Sequence, residues 1–250
     1  MDHHGQCIAV VSGKGGTGKT SFTAGVGAAL ALQGRRVLCL DCDVGLRNLD
    51  LALGLTDRAL MDFSDVAQGR CGLELAAVEH PLVPGLSLLT APARLRGRPV
   101  TETQMADLLR EVRKRFDYCL LDAPAGLGEG FRLAVCAADR CVVVTTADAS
   151  SLRDAQHTVM ELDRFPVGSL HLVVNRVRKK MLRHMHATID DAIDRAGLPL
   201  LGVVPEDDAL PLCMNRGVPI LLADGQGAAA AYSNIAKRLQ GERVPLLRIR

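Results

Sequence analysis

Gly13-Lys14-Gly15-Gly16-Thr17-Gly18-Lys19-Thr20 is the stretch on which the fold turns. It fits the pattern of Gly, four residues, then Gly-Lys-Ser/Thr, the Walker A loop. It follows an apolar run at residues 7–12 that reads as a strand. It precedes residues 20–33, which read as a helix closed by Gly34. Glycines let consecutive backbone N–H groups turn inward around a polyphosphate, and the helix N-terminus adds partial positive charge. On this pattern Lys19 reaches the β- and γ-phosphates, the Thr20 hydroxyl binds Mg²⁺, and Ser21 follows on the same turn. A glycine-rich turn with an incidental lysine would not also place the loop between a strand and a helix.

Outward from the loop, apolar runs alternate with amphipathic ones. Residues 36–41, 86–90, 118–122, 141–146, 170–175 and 200–205 are strand candidates. Residues 105–115, 151–164, 186–196 and 228–239 have helical periodicity. This alternation predicts an α/β fold: a doubly wound, mostly parallel sheet flanked by helices, of the P-loop NTPase class. The 250 residues contain no repeat and no linker, so one domain is expected across 1–250, with a short tail at 243–250. Aromatic residues are 3% with no Trp, so Leu, Val, Ile and Ala must build the core, as in buried parallel strands.

Thirty basic against 28 acidic residues leave a formal charge of +2, which gives no global drive toward nucleic acid or membrane. No sequence-specific nucleic-acid partner is expected. The sequence opens without an apolar leader, and the eight cysteines fall mostly in apolar runs, so they read as small buried hydrophobes in a reducing cytoplasm. Cys39 and Cys42 form a C-x-x-C. Cys39 lies in a strand and no second close cysteine pair completes a tetrahedral site, so a metal or redox role is rejected. A basic run of Arg176, Arg178, Lys179, Lys180 and Arg183 reads equally as a phosphate-binding patch or a solvated loop.

In doubly wound sheets ligands bind beyond the carboxyl ends of the strands. The chemically loaded residues cluster there: the Gly-rich loop, Asp41 and Asp43, Asp122, Asn175, and Pro205-Glu206-Asp207. Leu120-Leu121-Asp122 is an apolar strand ending in an acid, the Walker B form, and its carboxylate would hold Mg²⁺. Asp41 and Asp43, one residue apart in extended chain, would point the same way, one near Mg²⁺ and one toward attacking water.

These motifs together resemble the MinD/ParA group of deviant Walker A ATPases. Asp41-Cys42-Asp43-Val44-Gly45-Leu46-Arg47-Asn48-Leu49-Asp50 resembles the MinD branch in particular, as do Asp122-Ala123-Pro124-Ala125-Gly126, Ser150-Ser151-Leu152-Arg153-Asp154-Ala155 and Gly202-Val203-Val204-Pro205-Glu206-Asp207. The resemblance runs over residues 7–242. It implies an ATP-dependent homodimer in which Lys14 crosses to the partner's nucleotide and Asp43 positions water. It implies that Asn175 and the Pro205-Glu206-Asp207 segment hold adenine, and that Arg47, Asn48 and Asp154 contact partners. Those partners would be a MinC-like division inhibitor and a MinE-like or other activator of slow ATP hydrolysis, in placing the division septum. The location expected is cytoplasmic, with peripheral contact on the inner face of the membrane left open. Pro245 interrupts the tail where the group carries an amphipathic helix, so membrane contact is expected to be weak or partner-assisted. The competing readings are a ParA-like or flagellar-number ATPase with other cargo, and a metallocluster carrier of the same fold.

Overall fold

The computed structural model describes residues 5–94, 98–178, 189–223 and 225–247. Apolar alternation builds its centre. In β1 (Gln6–Val11), Cys7, Ala9 and Val11 pack into one hydrophobic cluster and Ile8 and Val10 into the other. A strand buried on both faces needs helices on both sides of its sheet. β2 (Val37–Asp41), β4 (Leu86–Leu89) and β5 (Tyr118–Asp122) repeat this pattern on one flank of β1. β6 (Arg140–Thr145), β7 (Ser169–Val177) and β8 (Leu200–Pro205) repeat it on the other. A two-residue strand, β3 (Val78–Glu79), closes one edge. Among the described residues the sheet has eight strands in the order β3-β4-β2-β5-β1-β6-β7-β8, and every pairing except β3 with β4 is parallel. The expected doubly wound, mostly parallel architecture is what forms.

On one face lie α1 (Lys19–Leu32), α2 (Asn48–Ala52), α9 (Ala209–Asn215) and α10 (Gly227–Leu239). Phe22 of α1 meets Tyr232 of α10 edge to face at 6.1 Å between ring centroids. A Cβ at Gly25 would lie 2.3 Å from the Tyr232 ring, so only glycine lets the two helices approach this closely. The other face carries α3 (Phe63–Ala67), α4 (Leu73–Ala76), α5 (Glu102–Arg115), α6 (Glu129–Val135), α7 (Ala149–Leu162) and α8 (Ile189–Ala196).

Two of the long helices begin earlier than their apolar periodicity predicts, because polar caps start them. Thr101 and Gln104 form a reciprocal capping box, so α5 begins at Glu102 rather than 105. Asp148 accepts the Ser151 N–H, so α7 begins at Ala149 rather than 151. Of the helix expected at 186–196, residues 186–188 lie outside the described residues. The short elements β3, α2, α3, α4, α6 and α9 span too few residues to carry a periodic signal. Cys39 and Cys42 are fully buried, and burial pushes both thiols well up, so neither is poised as a thiolate ligand. No helix among the described residues is long and apolar enough to cross a membrane.

Candidate functional site

The site is assembled at the carboxyl ends of β1, β2 and β5, three adjacent strands. Register pairs Val10 of β1 with Asp122 of β5, and Asp122 in turn with Asp41 of β2. The loop after β1 therefore opens directly over two carboxylates. Gly16 and Gly18 both have positive φ, at +80° and +87°, where L side chains are strained. A Cβ at Gly18 would lie 2.4 Å from Asn175 Nδ2, and one at Gly13 2.5 Å from the Asp154 carbonyl oxygen. The loop is thus pressed between α7 and the end of β7, and Asn175 donates to the Thr17 carbonyl at 2.8 Å.

Lys19 is only 7% exposed, and its ammonium donates to Ser12 Oγ at 2.9 Å. Burial lowers its pKa, while the charges of Asp122 and Asp43 work to raise it. A buried ammonium needs an anion close by. The inward-turned glycine loop around it fits a polyphosphate, and Thr17 Oγ1, buried in the same loop, has no partner. The donor set beside it is hard oxygen. Thr20 Oγ1 donates to Asp122 Oδ2 at 2.7 Å, and the Asp41 carboxylate lies in Coulomb range of Asp122. Burial pushes the carboxyls of Asp41 up to about 7 and Asp122 up to about 6. Two buried carboxylates that resist ionising side by side fit a divalent cation such as Mg²⁺, which such oxygens bind with water completing the shell. A bound Mg²⁺ would supply charge to a phosphoryl group in transfer, and Thr20, Asp41 and Asp122 are the residues placed to hold it.

Asp41 and Asp43 do not form the extended pair that their spacing predicts. Asp41 Oδ1 accepts the Asp43 N–H at 2.8 Å, and Oδ2 accepts the Leu49 N–H at 3.2 Å, so the chain turns back on itself. Asp41 stays beside Asp122, its register partner across β2 and β5. Asp43 is half-buried at the mouth, where burial raises its pKa against the opposing charge of Lys19.

Asn175, Pro205, Glu206 and Asp207 line one cleft of about 320 Å³ with Gly16, Gly18, Ser21 and Met214. Asp207 is fixed there by the backbone N–H groups of Ala209 and Ala228, and Ser21 Oγ lies 3.4 Å from Met214 Sδ. Lys14 stands apart from this group. It is exposed, and its ammonium donates to Ser150 Oγ at 3.0 Å, which donates in turn to Asp148. Of the residues expected to meet partners, Asn48 is exposed and Asp154 half-buried. Arg47 turns inward to Asp50 at 3.0 Å and to Thr90 at 3.1 Å. The outer face of α7 presents Arg153, Gln156, His157 and Met160 instead. The resemblance had marked the segment of Arg153 and Asp154 but not Gln156, His157 and Met160 individually, although their spacing puts them on the outer side of an amphipathic helix. Sequence reasoning also passed over Ser12 and Thr23, which anchor Lys19 and Asp122. Arg176 and Arg178 both pair with Glu206, while Lys179, Lys180 and Arg183 of the basic run lie outside the described residues.

A model of the CobQ/CobB/MinD/ParA nucleotide-binding domain matches residues 8–220. The septum site-determining protein MinD of Synechocystis is 38% identical over 242 residues, covering 96% of this chain and 91% of the relative. The chain belongs to the MinD branch of the MinD/ParA family. MinD of Bacillus subtilis is likewise 38% identical, covering 97% of this chain and 91% of its own. Among solved structures, the MinC:MinD cell division protein complex of Aquifex aeolicus contains a chain 36% identical to this one with a TM-score of 0.90, covering 97% of this chain and 98% of that one. MinD of Pyrococcus horikoshii, complexed with Mg-ADP, is 26% identical with a TM-score of 0.80 and covers 94% and 95%. Membership makes this chain a nucleotide-binding ATPase, which agrees with the phosphate cradle after β1.

Proposed function

We propose that this chain is an ATP-dependent dimerising switch that places the cell-division septum and, in its ATP-bound form, recruits a MinC-type division inhibitor. One observation carries the proposal. The loop carries two lysines in different settings: Lys19 is buried within it, and Lys14 is exposed with its ammonium on Ser150 of α7. Lys19, Thr20, Asp41 and Asp122 would hold Mg²⁺-ATP, and the cleft of Asn175, Pro205, Glu206 and Asp207 would hold adenine. Two facing nucleotides repel each other, and a Lys14 donated from each subunit to the other's phosphates offsets that repulsion. Dimerisation then reports the presence of the γ-phosphate. Asp43, at the mouth beside Lys19, would orient the attacking water. Hydrolysis would be slow until a MinE-like activator engages the dimer.

Partner contact would fall on Asn48, Asp154 and the exposed side of α7, whose N-terminus already touches Lys14 through Ser150. Weak contact between the C-terminal segment and anionic lipid, at the inner face of the membrane, belongs to the same proposal. Leu246 is 49% exposed there. A DNA-bound ParA-like role is disfavoured because the net charge is only +2 and Glu206 pairs with both Arg176 and Arg178, offsetting part of their charge.

The test is capture of the organism's own MinC on immobilised protein with ATP, with ADP, and without nucleotide. Retention in ATP only is expected. Equal retention in all three, or none in any, would refute the recruiting role.

A further inference from the structure

Asp122 accepts hydroxyl protons on both of its oxygens. Thr20 occupies Oδ2 at 2.7 Å and Thr23 occupies Oδ1 at 3.1 Å. The two threonines are one helical turn apart on α1, so a single face of that helix grips both edges of the carboxylate. Thr23 is fully buried and Asp122 is 2% exposed, so no solvent competes for either oxygen. The Thr23 hydroxyl has one proton and a second acceptor within reach, the Lys19 carbonyl at 3.0 Å. The two acceptors lie at nearly equal distance, and the carboxylate is the stronger one, because hydrogen bonds to a charged group are roughly twice as strong as neutral ones.

Consider what this grip does when a cation arrives. A hydroxyl that gives lone pairs to Mg²⁺ still has its proton to donate, and Asp122 Oδ2 is where Thr20 already donates it. The direction of the Thr20 lone pairs is therefore set by the plane of the Asp122 carboxylate. That plane is pinned from the far edge by Thr23. Without the Thr23 bond, the carboxylate can rotate about its last torsion, and the Thr20 oxygen rotates with it.

We propose that Thr23 is a positioning residue for Mg²⁺: by holding Asp122 Oδ1 it orients Asp122, and through Asp122 it aims the Thr20 hydroxyl at the cation. Thr23 never touches metal or nucleotide. Groups that orient a metal ligand from behind typically change metal affinity 10- to 100-fold when removed. This inference rests on the Mg²⁺-nucleotide reading of the site, and the experiment separates the two.

Titrate fluorescent ADP into wild type, Thr23→Val and Thr23→Ser, each in Mg²⁺ and in EDTA, and record thermal unfolding of each variant. Wild type must bind ADP more tightly in Mg²⁺; failure there sinks the site reading itself. In Thr23→Val the Mg²⁺-dependent gain in affinity should fall about tenfold, with the EDTA affinity within about twofold of wild type. Thr23→Ser, which restores the hydroxyl, should recover the gain. If the valine variant does not fold, Thr23→Ala carries the same expectation without adding a methyl group to the core. An unchanged Mg²⁺ gain, an equal loss with and without Mg²⁺, or no recovery in Thr23→Ser would each overturn the assignment.

Discussion

Asp41→Asn should make the nucleotide-free protein more stable at pH 8 while removing the stability that Mg²⁺-nucleotide adds. Asp41 is fully buried, and its carboxyl is pushed up to about 7, first by burial and then by the charge of Asp122. An unfolded aspartate titrates near 3.8. Between those values the folded chain holds the proton more tightly than the unfolded chain does. Stability from this group is therefore fully present below the unfolded pKa and is lost as pH rises through about 7. A shift of roughly 3 units corresponds to about 4 kcal/mol of destabilisation at pH 8. Asparagine carries no charge and keeps one acceptor oxygen. It gives up one of the two bonds from the Asp43 and Leu49 N–H groups, at a cost of about 1.5–3 kcal/mol. The net gain is on the order of 1–2 kcal/mol at pH 8, and the sign reverses below about pH 5, where the wild-type proton is in place. For a chain of this size that is a rise of roughly 2–8 °C in melting temperature. The assay is thermal unfolding in EDTA from pH 5 to pH 8, then at pH 8 with Mg²⁺-ADP. With Mg²⁺-ADP, wild type should gain stability and the variant little. A variant less stable than wild type at pH 8 in EDTA, or a difference that does not change with pH, would refute the reasoning.

Lys19→Ala should lose nucleotide binding at least a hundredfold, because a buried charge-assisted contact of about 3 kcal/mol is removed; unchanged affinity in a fluorescent-nucleotide titration would sink the phosphate-cradle assignment. Arg238 donates to the carbonyls of Leu201, Val244 and Pro245, pinning the C-terminal segment beside β8. Arg238→Ala should speed hydrogen exchange and proteolysis at residues 244–247 without altering ADP affinity, and exchange at the wild-type rate would show that Leu247 packing alone holds the segment.

The parts of the site legible in the sequence are those written in local spacing. The loop from Gly13 to Thr20 shows its strand, its turn and its helix within one stretch, so backbone geometry and chemistry could be read together. Asp122 was visible because an apolar run ends on it. The turn at Asp41 was not, because the bond from Leu49 to Asp41 depends on how α2 packs, and spacing alone favours an extended pair. Thr23 looks like any buried helix residue until β5 brings Asp122 to it across a separation of 99 residues. The link between Lys14 and Ser150 spans 136 residues and joins the loop after β1 to the first turn of α7, which the β1–β6 pairing makes neighbours. Arg47 was expected at a partner contact from the resemblance of its segment, but its backbone is left-handed, φ +48°, and the side chain turns back to Asp50 and Thr90.

The account's central claim is that ATP makes the dimer and Lys14 crosses it. Light scattering on Asp43→Ala tests this most directly, since that variant should bind ATP without consuming it. With Mg²⁺-ATP it should run as a stable dimer, and with ADP or no nucleotide as a monomer. Adding Lys14→Ala should return it to monomer in ATP while leaving ATP bound. A dimer that forms without nucleotide, or one that survives the loss of Lys14, would contradict the account.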